Sequence, residues 1–199
     1  MSKRYTKMGT EKLSKQALRS RFLLAELEGK YFDDLTLTKF EKSRITAVEV
    51  EGEGNFYSDL PYISIVKKYS IEVTTPRKKD ANHTAECDYD NKVIRLFRGR
   101  HEKDKIITLL HEMTHAYDNE LNKYPTWRDY LLLYLYRKLT AKLGRSRVNN
   151  MISLESHPDF FVSQGHNLLF VLKCLELDLR LKKRLGTVFA YGREKHFRI

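Results

Sequence analysis

Ile107-Thr108-Leu109-Leu110-His111-Glu112-Met113-Thr114-His115-Ala116-Tyr117-Asp118-Asn119 is the stretch on which the reading of this chain turns. An α-helix completes a turn in about 3.6 residues, so positions four apart share a face. Ile106, Ile107, Leu109, Leu110, Met113 and Ala116 form a broad apolar stripe. That stripe predicts a core-packed helix, with Asp104 as its N-cap. On it His111 and His115 point the same way, one turn apart, with Glu112 beside them. Polar side chains taken out of water are costly unless paired or metal-bound. The HExxH pattern therefore predicts a Zn²⁺ site, with Glu112 placed to act on a water held by the metal.

A catalytic zinc takes three protein ligands and leaves one position open. The metzincin pattern needs Gly and His three and six residues after the second His. Asp118 and Leu121 stand there, which removes that class. An arrangement with a helical Glu about twenty residues further on meets an acid-free stretch from Leu131 to Leu154. Asp129 opens a Leu- and Tyr-rich helix and is a poor ligand. Glu155, His157 and His166 remain. His166 is preferred, because a long apolar helix follows it directly and can hold it still. His157, just before Pro158, is the alternative. His83, His101 and His196 lie in polar or basic surroundings.

Outward from the motif, Glu11 to Lys30 reads as a helix, with Leu13, Leu18, Phe22, Leu23, Leu24 and Leu27 near one stripe and Gly29 as its stop. Strands are expected at 45–50 and 71–75, and a short helix from Pro61 to Lys68. Residues 84–97 read as a hairpin turning at Asp90-Asn91, with Ala85, Cys87 and Tyr89 on one face. Downstream, a helix runs from Trp127 to Leu143 and stops at Gly144. Another is expected from Asp159 to Leu185, then a short strand at 186–192. The fold class is α+β, with a small antiparallel-containing sheet packed on the motif helix. All 199 residues read as one domain, and 1–45 as its basic helical extension.

Hydrophobic residues make up 41% and charged residues 32%, which fits a globular chain rather than a disordered one. No apolar run is long enough to span a bilayer, so no membrane partner is expected. The basic start, Met1 to Tyr5, leads into no apolar segment. Cys87 and Cys174 lack a CxxC partner, which rules out a zinc ribbon and suggests a reducing intracellular compartment, cytoplasmic or nuclear. The net charge of +11 points to a polyanionic partner. Arg137, Lys138, Lys142, Arg145 and Arg147 form one basic group and Lys182, Lys183 and Arg184 another, and DNA is the expected ligand.

The run Lys92-Val93-Ile94-Arg95-Leu96, then Thr108 to Tyr117, resembles the SprT-like (Spartan-type) zinc metalloprotease domain. Gly165-His166-Asn167-Leu168-Leu169-Phe170 is similar to that family's third-ligand segment. The longer spacing from His115 to His166, and Asn167 where Gly is common, depart from its pattern. The resemblance implies a zincin-like fold and peptide hydrolysis at a zinc held by His111, His115 and His166. It also implies proteolysis associated with DNA, such as removal of crosslinked proteins. On the residues themselves, Glu112 is the expected general base and strand 93–97 the expected aligner of an extended substrate. Tyr117 and Tyr191 are candidate oxyanion donors, and Asp118 either orients a ligand or is solvated. The competing readings are a zinc protease without DNA dependence and a basic nucleic-acid-binding module with a structural metal.

Overall fold

The computed structural model describes residues 15–35, 64–75, 84–97, 105–155 and 166–189. Its elements in chain order are α1 (Lys15–Tyr31), a 3-10 turn (Asp33–Leu35), α2 (Ile65–Lys68), β1 (Ser70–Thr74), β2 (Ala85–Asp88) and β3 (Val93–Phe97), followed by α3 (Lys105–Leu121), α4 (Pro125–Leu143), α5 (Arg145–Glu155) and α6 (Leu168–Leu181). The expected strand at 45–50, the cap Asp104 and the alternative ligand His157 lie outside the described residues, as do residues 190–192.

The three strands are ordered β1-β3-β2. β1 runs parallel to β3, with Ser70 opposite Val93, and β2 antiparallel, with Ala85 opposite Leu96. The β2–β3 hairpin is the expected one. Asp88 closes its turn by accepting from the Asn91 backbone N–H at 3.0 Å, and Lys92 takes a left-handed φ of 56°. Arg95 at the middle of β3 meets Glu86 at 2.7 Å and Asp88 at 2.6 Å, so charges on neighbouring strands lock the register. Both edges of β3 are thus taken, and the expectation that 93–97 aligns a substrate falls. Among the described residues β2 pairs on one side only, and it packs against α3 together with β3.

α3 lies in the core. Leu109, Leu110, Met113, Ala116 and Tyr117 are at most 1% exposed, whereas Ile106 is at the surface. One cluster of buried side chains joins Leu24 and Leu27 of α1 with Ile94, α3, Leu135, Leu139 and Val148, and with Phe170 to Leu177 of α6. On α1 the packed face is Leu24, Leu27 and Tyr31, while Phe22 and Leu23 are exposed. Gly144, at φ 85°, ends α4 as expected. The chain then re-enters a helix, α5, that the sequence reading did not anticipate; Val148 and Met151 anchor it.

α6 corrects the expected 159–185 helix at both ends. Asn167 is extended (φ −104°, ψ 178°), and its side chain accepts from the Phe170 N–H at 3.0 Å, so the helix starts at Leu168. Lys182 takes a left-handed conformation, and its N–H caps the end of the helix. The expected strand from 186 is a turn as far as Phe189. Asp178 holds it by accepting from the Gly186 and Val188 backbone N–H groups at 2.7 and 2.9 Å.

The N-terminal elements are joined to α6 by buried charge. Lys173 is fully buried and donates to both oxygens of Asp34 (2.9 and 2.8 Å), to the Tyr31 carbonyl (2.7 Å) and to Glu176 (3.1 Å). Glu176 also meets Lys138 of α4 at 2.6 Å and Arg180. Burial alone would raise the Glu176 carboxyl, but Lys173, Lys138 and Arg180 outweigh it and bring it down to about 2.

Removing one member of such a group strands the other charges in the interior. Lys173→Met should therefore lower stability by about 3–5 kcal/mol, read as a fall in the urea midpoint. Because the folded Glu176 pKa lies below the ordinary 4.5, its contribution is complete above pH 4.5 and is lost as pH falls toward 2. Glu176→Gln should flatten the stability curve across that window.

Candidate metal centre

The site is assembled from two helical elements and one extended step. α3 presents His111 and His115 from successive turns, and His166 enters from the extended pair before α6. All three are buried, at 0%, 8% and 6% exposure. Their candidate ligand atoms lie within 4.8 Å of one another. His115 Nε2 and His166 Nε2 are 3.2 Å apart. Two nitrogens sharing a tetrahedral ion at about 2.0–2.1 Å stand roughly 3.3 Å apart, so this edge already has the spacing of a ligand pair.

The rings are set by what their other atoms touch. His111 Nδ1 faces the Val188 carbonyl at 3.0 Å, leaving Nε2 as its ligating nitrogen. His115 Nδ1 faces the Tyr89 hydroxyl at 3.3 Å. Phe170 walls the site, with its ring 4.3 Å from His115, 4.4 Å from His166 and 4.9 Å from His111, centroid to centroid. Phe189 closes on His166 at 5.0 Å. These apolar walls determine the protonation. Burial, then the neighbouring rings, takes His111 well below the ordinary 6.5. Burial and His166 take His115 to about 3, and burial takes His166 to about 4. All three are neutral near pH 7, the form whose lone pair binds a metal. Three neutral imidazoles, two of them (His111 and His115) with the second nitrogen facing a partner, suit a borderline divalent cation.

His166 owes its place to its neighbour. Asn167 donates from Nδ2 to Asp118 Oδ2 at 2.5 Å while its carbonyl oxygen caps α6. The other Asp118 oxygen accepts from Arg128 Nε at 3.4 Å. Asp118 is buried, and burial raises its carboxyl pKa. It is therefore not the solvated aspartate, and it acts on the third histidine's neighbour rather than on a ligand ring. Asn167, a departure from the resembled pattern, joins the motif helix to the start of α6.

Glu112 is buried at 2% exposure within electrostatic reach of Cys87 and Tyr89. Burial, then Glu112, pushes the Cys87 thiol upward, so it stays protonated. Of the candidate oxyanion donors, Tyr191 lies outside the described residues and Tyr117 is corrected. Two positions on from His115 is about 200° around the helix. Tyr117 accordingly packs in the core, 5.2 Å from the Phe32 ring. The Tyr89 and Val188 contacts were not foreseen. The hairpin's alternation put Tyr89 on one face with Cys87, but not which element that face would meet. A backbone carbonyl such as that of Val188 leaves no signature in sequence.

The basic groups divide. Arg137, Lys142, Arg145, Arg147, Lys182, Lys183 and Arg184 are exposed. Lys138 is not part of that surface, because its ammonium is engaged by the buried Glu176 at 2.6 Å. Among the described residues no helix is long and apolar enough to cross a membrane. No family model matches this chain, and comparisons with curated proteins and with solved structures returned no match.

Titration with zinc should show one ion bound per chain, and His166→Ala should weaken it at least tenfold. Asn167→Ala, which frees His166 without removing it, should cost about 10–100-fold. Since His115 and His166 protonate only at about 3 and about 4, affinity should stay level from pH 7 to near 5 and fall below that. A fall centred on pH 6.5 would show that the rings are not buried as described.

Proposed function

We propose that this protein is a zinc-dependent peptidase acting on protein substrates in association with DNA. The observation that carries the reading is the convergence of three buried, neutral histidines on the helix that also carries Glu112, beside the edge of β2 that has no partner strand among the described residues. This arrangement supports a zincin-like assignment of the mixed α+β fold, as does the resemblance of residues 92–117 and 164–176 to SprT-like domains.

When bound, zinc polarises a scissile carbonyl and acidifies water. His111, His115 and His166 would hold it, with Phe170 and Phe189 keeping bulk water from the ligand rings. Glu112, one residue from His111 and on the same turn, serves as general base: it takes a proton from the attacking water and returns it to the leaving amine. The open edge of β2 can receive an extended peptide by main-chain pairing, which brings the substrate alongside α3. Cys87 lies within electrostatic reach of Glu112, and its protonated thiol adds no competing charge. The exposed residues Arg137, Lys142, Arg145 and Arg147 of α4 and α5, on a stretch without acids from 131 to 154, supply a surface for the phosphate backbone. That charge favours the DNA-linked reading over a peptidase whose basic surface serves solubility alone.

Glu112→Gln should keep bound zinc and lose cleavage of a DNA-bound protein by about 10²–10⁴-fold. Equal cleavage by wild type and Glu112→Gln sinks the peptidase. Single-stranded DNA should raise the wild-type rate. Replacing Arg137, Lys142, Arg145 and Arg147 together by Ala should abolish that stimulation while sparing cleavage without DNA. A rate indifferent to DNA leaves a peptidase without the DNA association.

A further inference from the structure

We propose that Tyr89 is a positioning residue for the metal ligand His115, its hydroxyl oxygen accepting a hydrogen bond from the Nδ1–H and so leaving the Nε2 lone pair for the ion. The inference rests on the metal reading above and adds to it a residue from outside the ligand set.

A neutral imidazole carries one proton on one of two nitrogens. Ligation through Nε2 requires that proton to be on Nδ1, where it needs an acceptor if the ring is buried. His115 is 8% exposed, and its ring is enclosed by apolar or neutral groups. Phe170 lies 4.3 Å away, and the His166 ring is stacked at 4.9 Å with an interplanar angle of 21°. Nε2 is turned to His166 Nε2 at 3.2 Å, on the ion's side. At Nδ1 the Tyr89 hydroxyl stands at 3.3 Å. Tyr89 thereby does for His115 what the Val188 carbonyl does for His111.

The two acceptors differ in kind. Val188 is fixed by the buried turn that Asp178 holds. Tyr89 comes from the hairpin turn after β2, and its residue is 40% exposed. Its strand face is the one that carries Ala85 and Cys87 toward α3, since alternate residues share a face. The orientation of one ligand therefore depends on the seating of the same hairpin whose outer edge has no partner strand among the described residues. Burial first, and then the nearby Glu112 carboxylate, raises the Tyr89 phenol, so the hydroxyl stays intact near neutrality.

The test is Tyr89→Phe, which keeps the ring and removes the hydroxyl. Zinc affinity should fall about 10–100-fold. The visible spectrum of the cobalt(II)-substituted protein should shift, because the His115 ring is no longer held in one orientation. The zinc-free melting temperature should be unchanged, which separates this effect from unfolding. In zinc-loaded wild type, ¹⁵N spectra of the His115 ring should show the proton on Nδ1. Zinc affinity and cobalt spectrum equal to wild type overturn the proposal, as does ligation of His115 through Nδ1. Neither result harms the metal centre itself. Wild type that takes up no zinc overturns both.

Discussion

Three imidazoles kept out of water are the constraint on which the rest of the molecule depends. A buried ring needs a partner at each nitrogen or an ion in place of one. Two rings come from α3 at no cost in chain length, because helical spacing stacks them. The third has to be carried back across α4 and α5. α6 does this with an apolar face that packs against α3 and α4, and Asn167 sets the last step by bonding to Asp118. Phe170, on the first turn of α6, then lies against all three rings. Packing and ligand placement are therefore one arrangement: the residues that anchor α6 also form the wall of the centre.

What could be read in advance follows from how local the cause was. His111, Glu112 and His115 were legible because a 3.6-residue period and an apolar stripe suffice to place them together. His166 was legible by elimination downstream, although the start of its helix was not. A capping side chain at Asn167 outweighed the apolar periodicity that suggested a longer helix. The hairpin at 84–97 was clear from alternation and turn residues. The role assigned to 93–97 failed because strand order is a tertiary fact: β1 returns in parallel and occupies the edge that alternation alone left open. α5 was missed because Gly144 ends one helix without preventing the next, and its buried anchors are sparse: Val148 and Met151, with Ile152 half-buried against the core.

Charge was the least faithful guide at the level of single residues. The total of +11 is a property of the whole chain, yet several of its cations are engaged by buried carboxylates. Lys173 is buried against Asp34, Lys138 meets Glu176, and Lys68, Lys92 and Lys123 all converge on the buried Glu120. Opposing these lysines to burial, the fold brings the Glu120 carboxyl down to about 2. A lysine in such a group contributes to folding, and its contribution to the outer field is largely cancelled by its carboxylate. Arg137, Lys142, Arg145 and Arg147 of α4 and α5, by contrast, are exposed on a stretch without acidic residues in sequence.

The separation of His115 and His166 by 51 residues gives the centre a mechanical meaning as well as a chemical one. An ion shared by those two rings closes a long loop that includes α4 and α5, and it does so reversibly. It acts as a removable cross-link whose effect on the unfolded chain grows with the logarithm of loop length. A metal held there would couple its supply to the durability of the whole chain, since an ion that binds only the folded form holds the population in that form.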